Sequence, residues 1–118
     1  MGVPYVASSP DETYPVYPSD EVWDALRGVE DPEMGISLVD MGMIVSASRD
    51  GDTAHVRLTY TAMGCPATEM IENDMRGRLL RIQGIEHVVI EVVWDPVWTK
   101  ARLTLAGRDA LQMIGIAV

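Results

Sequence analysis

The only cysteine of the 118 residues, Cys65, stands in the stretch TYTAMGCPATEMI, residues 59–71. Pro66 follows it and suits the first position of a helix, which predicts that Cys65 caps a helix N-terminus. Unpaired backbone N–H groups and the positive end of the helix dipole favour a thiolate there. A thiolate attacks electrophiles or binds soft metals. A packed, inert thiol is an equally weighted alternative, because free cysteine often behaves as a small hydrophobe.

Two carboxylates, Asp31 and Glu33, flank Pro32 and form a second candidate site. They could receive a cation or orient a nearby thiol. However, DPE is also common turn chemistry, with Asp31 as the turn residue and Glu33 in solvent, and this simpler interpretation is favoured.

The histidines, His55 and His87, complete the candidate groups. Neither stands at a metal-ligand spacing from Cys65, so each is predicted to be a surface histidine. A Cys–His pair formed by distant parts of the sequence stays open.

The elements that position these residues follow from apolar periodicity. Ser19 or Asp20 can cap a first helix, whose apolar stripe has a period near 3.6. Alternation then predicts a strand over 39–47, with a bulge or a close backbone approach at Gly42, and a hairpin turn over 48–52. A strand over 53–61 is the clearest, with one buried face and one wet face. The wet face comprises Thr53, His55, Arg57, Thr59 and Thr61.

A second helix is predicted from Pro66 to Ile82 and closed by Gly84. Its apolar face comprises Ile71, Met75, Leu79 and Ile82. Residues 88–94 are apolar on both faces, which predicts a third strand more buried than the hairpin. Thr104 can cap a last short helix.

The resulting order, α-β-β-α-β-α, contains a strand–helix–strand unit, which implies a right-handed crossover between parallel strands. The hairpin adds an antiparallel pair. We therefore predict a small two-layer α+β domain in which helices cover one face of a three-stranded mixed sheet.

Charge is distributed unevenly along the chain. Residues 1–52 hold 11 acidic and 2 basic side chains, whereas residues 53–118 hold 7 of each, so the first segment carries the whole net charge of −9. Phosphate binding needs a basic surface, so nucleic acid is excluded as a partner. A basic protein partner, cations or a merely solubilising acidic face all remain compatible.

Length predicts one domain. Residues 1–18, with four prolines, three tyrosines and no periodicity, are predicted to be an arm ahead of a single domain over 19–118. No apolar run approaches the roughly 20 residues of a membrane helix, and no secretory signal is visible. One cysteine rules out an internal disulfide framework, which favours a reducing compartment. We therefore expect a cytoplasmic protein and, without an apolar run, no membrane contact.

Three segments in this order resemble the iron–sulfur assembly factors of the SufT and PaaD type. They are DPEMGISLVDMGMI (31–44), LTYTAMGCPATEMI (58–71) and VVWDPVWTKARLTLAGRDALQMIGI (92–116). The resemblance implies the small α/β fold shared with the C-terminal domain of NifU-type cluster carriers. Two motifs, GCPATE and RDALQMIGIAV, resemble PaaD more than SufT. PaaD assists a multicomponent oxygenase, so the resemblance implies such an oxygenase as one client.

The resemblance also implies a non-enzymatic accessory factor that matures client iron–sulfur proteins. It marks Cys65 as the functional thiol or cluster ligand, with Asp31, Glu33 and Thr61 as supporting loop residues. Trp98 matches the aromatic after the third strand and is a candidate partner surface. A transient iron–sulfur cluster or iron is the implied cofactor, and client proteins or other assembly proteins are the implied partners.

One cysteine cannot hold a conventional cluster alone, because such a cluster takes about four ligands, mostly thiolates. A homodimer, a partner or a small thiol could supply the others. Two further hypotheses stay open: a redox sensor or enzyme with an acidic Cys65 thiol, and a purely structural interaction domain with an inert one.

Overall fold

In the computed structural model, which describes residues 14–61 and 68–118, the first helix begins at a side-chain cap. Helix α1 spans Glu21–Arg27, and the Asp20 carboxylate accepts the N–H groups of Val22 and Trp23, both at 3.0 Å. Of the two caps predicted, Asp20 is therefore the one used. The helix ends at Gly28.

A two-stranded hairpin that the sequence analysis did not predict follows α1. Strand β1 (Glu30–Asp31) pairs antiparallel with β2 (Ile36–Ser37). Two residues are too few to produce a readable alternation of apolar and polar side chains. Gly35, with φ of 68°, allows the tight turn between the two strands.

The main sheet contains β3 (Ile44–Asp50), β4 (Thr53–Leu58) and β5 (His87–Val92) in that spatial order. Strands β3 and β4 are antiparallel, whereas β4 and β5 are parallel. The predicted mixed three-stranded sheet is confirmed. A register irregularity interrupts the β3–β4 pairing between Ile44 and Ser46.

The start of the first predicted strand, residue 39, was wrong. Residues 38–43 turn instead, because the N–H of Met41 donates to Ser37 O at 2.9 Å and that of Gly42 to Val39 O at 3.0 Å. Strand β3 also runs further than predicted, to Asp50, which leaves a two-residue turn at 51–52. Alternating apolar residues do not distinguish a strand from consecutive turns whose apolar side chains are buried.

Strand β5 lies at one edge of the sheet, so the prediction that it would be more buried than the hairpin was wrong. Its burial alternates between exposed and intermediate, and Val89 is 47% exposed. The central strand is β4, because it alone is hydrogen-bonded on both sides in this sheet.

Helix α2 spans Thr68–Leu80, and three residues of its predicted apolar face are buried: Ile71, Met75 and Leu79. It ends two residues before Ile82, which lies in the following turn, and Gly84 continues that turn with φ of 88°. The predicted start at Cys65 and Pro66 lies outside the described residues.

Two short helices close the chain. A single 3₁₀ turn covers Lys100–Arg102, and helix α3 covers Leu105–Met113. The predicted cap of α3 is confirmed, because the N–H of Gly107 donates to Thr104 Oγ1 at 3.0 Å.

The hydrophobic core lies between the sheet and the helices. Strand β4 directs Ala54, Val56 and Leu58 inward and leaves His55 and Arg57 exposed on the other face. Helices α1 and α2 pack against β3, β5 and each other, as expected for helices on one face of the sheet. No helix in the described parts of the chain is long and apolar enough to cross a membrane.

Two tyrosines hold the segment before α1 against the domain. Tyr17 stacks on Trp23 with 5.7 Å between ring centroids and donates its hydroxyl to Arg102 O at 2.7 Å. Burial raises the pKa of Tyr17, and the charge of Arg102 partly opposes this. Arg108 donates to the Tyr14 hydroxyl at 2.9 Å. Residues 1–13 of the predicted arm lie outside the described residues.

Candidate functional site

Asp31 shapes the turn of the β1–β2 hairpin. It is 7% exposed, and its carboxylate accepts the N–H of Glu33 at 2.8 Å. Its backbone carbonyl accepts the N–H groups of Met34 (3.2 Å) and Gly35 (2.7 Å). The turn interpretation of Asp31 therefore fits its contacts, while Glu33 projects an exposed carboxylate from the same turn.

Thr61 lies where the chain leaves the central strand. Just before it, the N–H of Thr59 donates to Met43 O at 2.8 Å, and Tyr60 donates its hydroxyl to Glu72 of α2 at 3.1 Å. Thr61 itself is partly exposed. By chain order Cys65 falls between the end of β4 and the start of α2, but it lies outside the described residues.

Trp98 is anchored by its indole N–H, which donates to Met41 O at 2.6 Å. Its ring packs against the core and is only partly exposed. The same loop presents two more exposed apolar residues, Trp94 at 67% and Val97 at 69%. Trp98 therefore joins two loops, and it is less exposed than Trp94 and Val97.

The segment after Trp98 clamps the loop formed by residues 38–44. Arg102 donates from Nε to Gly42 O at 2.6 Å and from Nη2 to Ile44 O at 3.2 Å. Thr104 donates its N–H to Asp40 O at 3.0 Å and its hydroxyl to the Asp40 carboxylate at 2.8 Å. We call residues 98–104 the C-terminal clamp.

At Gly42 the backbone of the clamp lies directly against the loop. Its φ is 74°, and a Cβ at this position would collide with the backbone of Arg102. The close backbone approach predicted for Gly42 is thus confirmed. The partner segment was not predicted, because nothing in the local pattern indicates a contact with a residue 60 positions away.

The hydrogen bonds bring some of the predicted site residues together and leave others apart. The loop over 38–44 touches both the end of β4, near Thr61, and the indole of Trp98. Within residues 14–61 and 68–118, no hydrogen bond or ion pair joins Asp31 or Glu33 to Thr61 or Trp98. How Cys65 stands relative to them stays a prediction.

Metal-ligating side chains do not cluster in the part of the chain that the structure describes. No group of three or more His, Cys, Asp or Glu side chains there could hold a metal ion. His55 and His87 are both exposed on the sheet, in keeping with their interpretation as surface histidines.

Thr59 is a buried polar residue that the sequence analysis misplaced. Its predicted position was on a wet strand face, yet it is fully buried, and its hydroxyl has no hydrogen-bond partner among residues 14–61 and 68–118. A buried hydroxyl without a partner is uncommon in folded proteins. Arg57, two residues earlier on the same predicted face, is exposed. The sequence pattern does not show that Thr59 is buried, because its burial depends on how other parts of the fold cover this end of the strand.

Known proteins of related sequence match most of this chain. A maturation auxiliary factor for Fe–S proteins, SufT of Staphylococcus aureus, is 33% identical over 84 residues, 70% of this chain and 96% of the relative. An iron–sulfur cluster carrier protein of Deinococcus radiodurans is 41% identical over 73 residues, 62% of this chain but 21% of the carrier. A protein of Escherichia coli named as a component of 1,2-phenylacetyl-CoA epoxidase is 31% identical over 82% of this chain and 59% of its own length.

The fold also has a solved counterpart. A crystal structure of a DUF59 domain from Bacillus anthracis superimposes with a TM-score of 0.73 at 28% identity, covering 79% of this chain and 90% of that one. The family described as iron–sulfur cluster assembly protein matches residues 19–92, which include Asp31, Glu33, Thr61 and Cys65. The chain therefore belongs to the iron–sulfur cluster assembly protein family, of the SufT and PaaD type.

Proposed function

We propose that this protein is a non-enzymatic accessory factor that helps to mature client iron–sulfur proteins, with Cys65 as its functional thiol. The observation that carries the proposal is the family match over residues 19–92, which spans both the DPE turn and the Cys65 segment. The names of the relatives, a maturation auxiliary factor and a cluster carrier, support an accessory role.

The cluster fits this chain as cargo and not as a resident group. A conventional cluster takes about four ligands, mostly thiolates, and the chain has one cysteine. Within the described ranges no His, Cys, Asp or Glu cluster could replace them, and the Asp31 carboxylate already accepts the N–H of Glu33. Any iron–sulfur species that Cys65 binds would thus need ligands from a client, another assembly protein, a second copy or a small thiol.

The supporting residues have distinct proposed roles. Asp31 sets the shape of its turn, from which Glu33 offers an exposed carboxylate to a cation or a basic partner group. Thr61 begins the segment that carries Cys65. Trp98, by anchoring the loop over 38–44, positions the surface from which Trp94 and Val97 project toward a partner.

The client itself is a finer proposal. The similarity to an epoxidase component over 82% of this chain supports a multicomponent oxygenase as one client class. The similarity to SufT supports a wider range of clients. The acidic surface, with a net charge of −9, favours protein partners that present basic groups.

The test is to delete the gene in the source organism and follow iron–sulfur enzymes and cluster-free enzymes side by side. We expect iron–sulfur enzymes to keep their abundance and lose activity and bound iron, because their polypeptides are made but not matured. Iron and sulfide added anaerobically to the purified clients should restore activity. Equal iron content and activity with and without the gene would refute the proposal.

A further inference from the structure

Among the described residues, the edge of β5 that faces away from β4 offers the backbone groups of Ile90 and Val92 to an incoming strand. The N–H of His87 donates to Asp52 O, just before β4, at 3.1 Å. The N–H of Val93 donates to Leu58 O, at the end of β4, at 2.8 Å. Alternate residues of a strand bond to the same neighbour, so the odd-numbered residues of β5 bond to β4. The even-numbered residues Val88, Ile90 and Val92 therefore direct their N–H and C=O groups away from it.

The described residues provide little cover for this edge. Arg76 of α2 donates to Val88 O at 2.8 Å, and no further strand pairs with β5 in the described sheet. The opposite edge is better protected, since β3 has an irregular register near Ile44 and ends in the charged pair Arg49 and Asp50. Proteins block the pairing of edge strands with bulges, charged side chains and prolines. Strand β5 has no proline, and Glu91 is its one acidic residue.

Side chains beside this edge define what would bind there. On the outer face, Val89 is 47% exposed and Glu91 is exposed, two residues apart. The exposed residues that flank the strand add Glu86, Trp94 and Asp95, so the surface is apolar with three carboxylates, and Arg76 is a basic group at the same edge. Arg57 is the basic side chain that approaches Glu91, at 3.4 Å.

We propose that the β5 edge binds an extended segment of a client or assembly protein, which adds a fourth strand to the sheet. The added strand would carry an apolar residue opposite Val89 and a basic residue two positions along, opposite Glu91. This inference rests on the proposed function for the identity of the partner, and on the edge geometry for its binding mode.

A second copy of this chain fits the edge less well. Each copy carries a net charge of −9, so association is opposed by long-range repulsion. A second β5 would also bring no lysine or arginine to meet Glu91, since its remaining polar side chain is His87. Charge complementarity therefore favours a basic, non-identical segment.

The experiment uses the full chain, labelled with ¹⁵N, and a blocked heptapeptide of alternating threonine and valine that contains one lysine two positions from a valine. Before peptide is added, the amides of Ile90 and Val92 should exchange with solvent faster than those of Val89 and Glu91. Peptide should slow exchange at Ile90 and Val92 by about tenfold or more, because their N–H groups become hydrogen-bonded.

Charge reversal provides the matched controls. A peptide with glutamate in place of lysine should bind about two- to fivefold more weakly, and Glu91→Lys should reverse that preference. Glu91 is exposed, so the variant should keep the fold, with a small loss of stability because the new lysine faces Arg57.

Three results would overturn the inference. The first is no change in amide exchange at Ile90 and Val92 at millimolar peptide, and the second is a peptide preference unaltered by Glu91→Lys. The third is protection from exchange that rises with protein concentration in the absence of peptide, which would indicate a second copy. Failure of peptide binding alongside gene-dependent client maturation would overturn only this inference. Binding alongside fully active clients in the deletion strain would overturn only the proposed function.

Discussion

At the scale of the residue, Thr59 departs furthest from what its chemistry requires. Its hydroxyl is fully buried and has no hydrogen-bond partner in the part of the chain that the structure describes, although its N–H donates to Met43 O. Leaving a hydroxyl unpaired in the interior costs about 1–3 kcal/mol. Asp31 is the contrasting case, because its buried carboxylate accepts a hydrogen bond within its own turn. Sequence pattern predicted the turn at Asp31 correctly, since turn chemistry is local, and failed at Thr59, where burial depends on distant residues.

Thr59→Val should therefore stabilise the protein by about 1–2 kcal/mol, because the methyl group keeps the packing and removes the unpaired hydroxyl. Thr59→Ser, which keeps the hydroxyl and loses the methyl group, should destabilise it by a similar amount. Urea unfolding followed by circular dichroism measures both changes. A less stable Thr59→Val protein would mean that the hydroxyl has a partner in solution.

At the scale of the element, the C-terminal clamp organises the loop between β2 and β3. Arg102 and Thr104 bond to backbone groups of that loop, and Gly42 permits the close contact. The periodicity of α1, α2 and β4 could be predicted, because it reflects which face is buried. The clamp could not, since it joins segments far apart in sequence and uses mainly backbone acceptors.

Three glycines separate the effects of backbone conformation and close packing. Gly42→Ala should be severely destabilising, since φ is 74° and the new Cβ collides with Arg102 backbone. Gly35→Ala has a similar φ of 68° but open space, so it should cost only about 1 kcal/mol. Gly77→Ala lies inside α2 in open space and should stabilise by about 0.5–1 kcal/mol. Thermal and urea unfolding test this order, and equal effects of the substitutions at Gly42 and Gly35 would contradict the role assigned to the clamp.

At the scale of the whole molecule, the mixed sheet follows from a hairpin and one crossover, and both were legible in the sequence. The hairpin at β1 and β2 could not be predicted, because two-residue strands carry no pattern. The edge position of β5 could not be predicted either, because apolar residues on both faces also suit a central strand. The candidate site divides in the same way. Residue types and the family resemblance proposed Asp31, Glu33 and Cys65 as candidates, whose roles stay predictions, whereas the anchoring of Trp98 through Met41 needed the structure.

Those residues lead to the central claim, which is that the thiol of Cys65 is needed for client maturation. The most direct test is to restore the deletion strain with wild-type protein, with Cys65→Ser, or with Met70→Ser as a control at an exposed position in α2. Protein abundance and thermal unfolding should be alike in all three. We predict that wild type and Met70→Ser restore the activity and bound iron of iron–sulfur enzymes, whereas Cys65→Ser leaves them at the level of the deletion strain. Full restoration by Cys65→Ser would contradict the account.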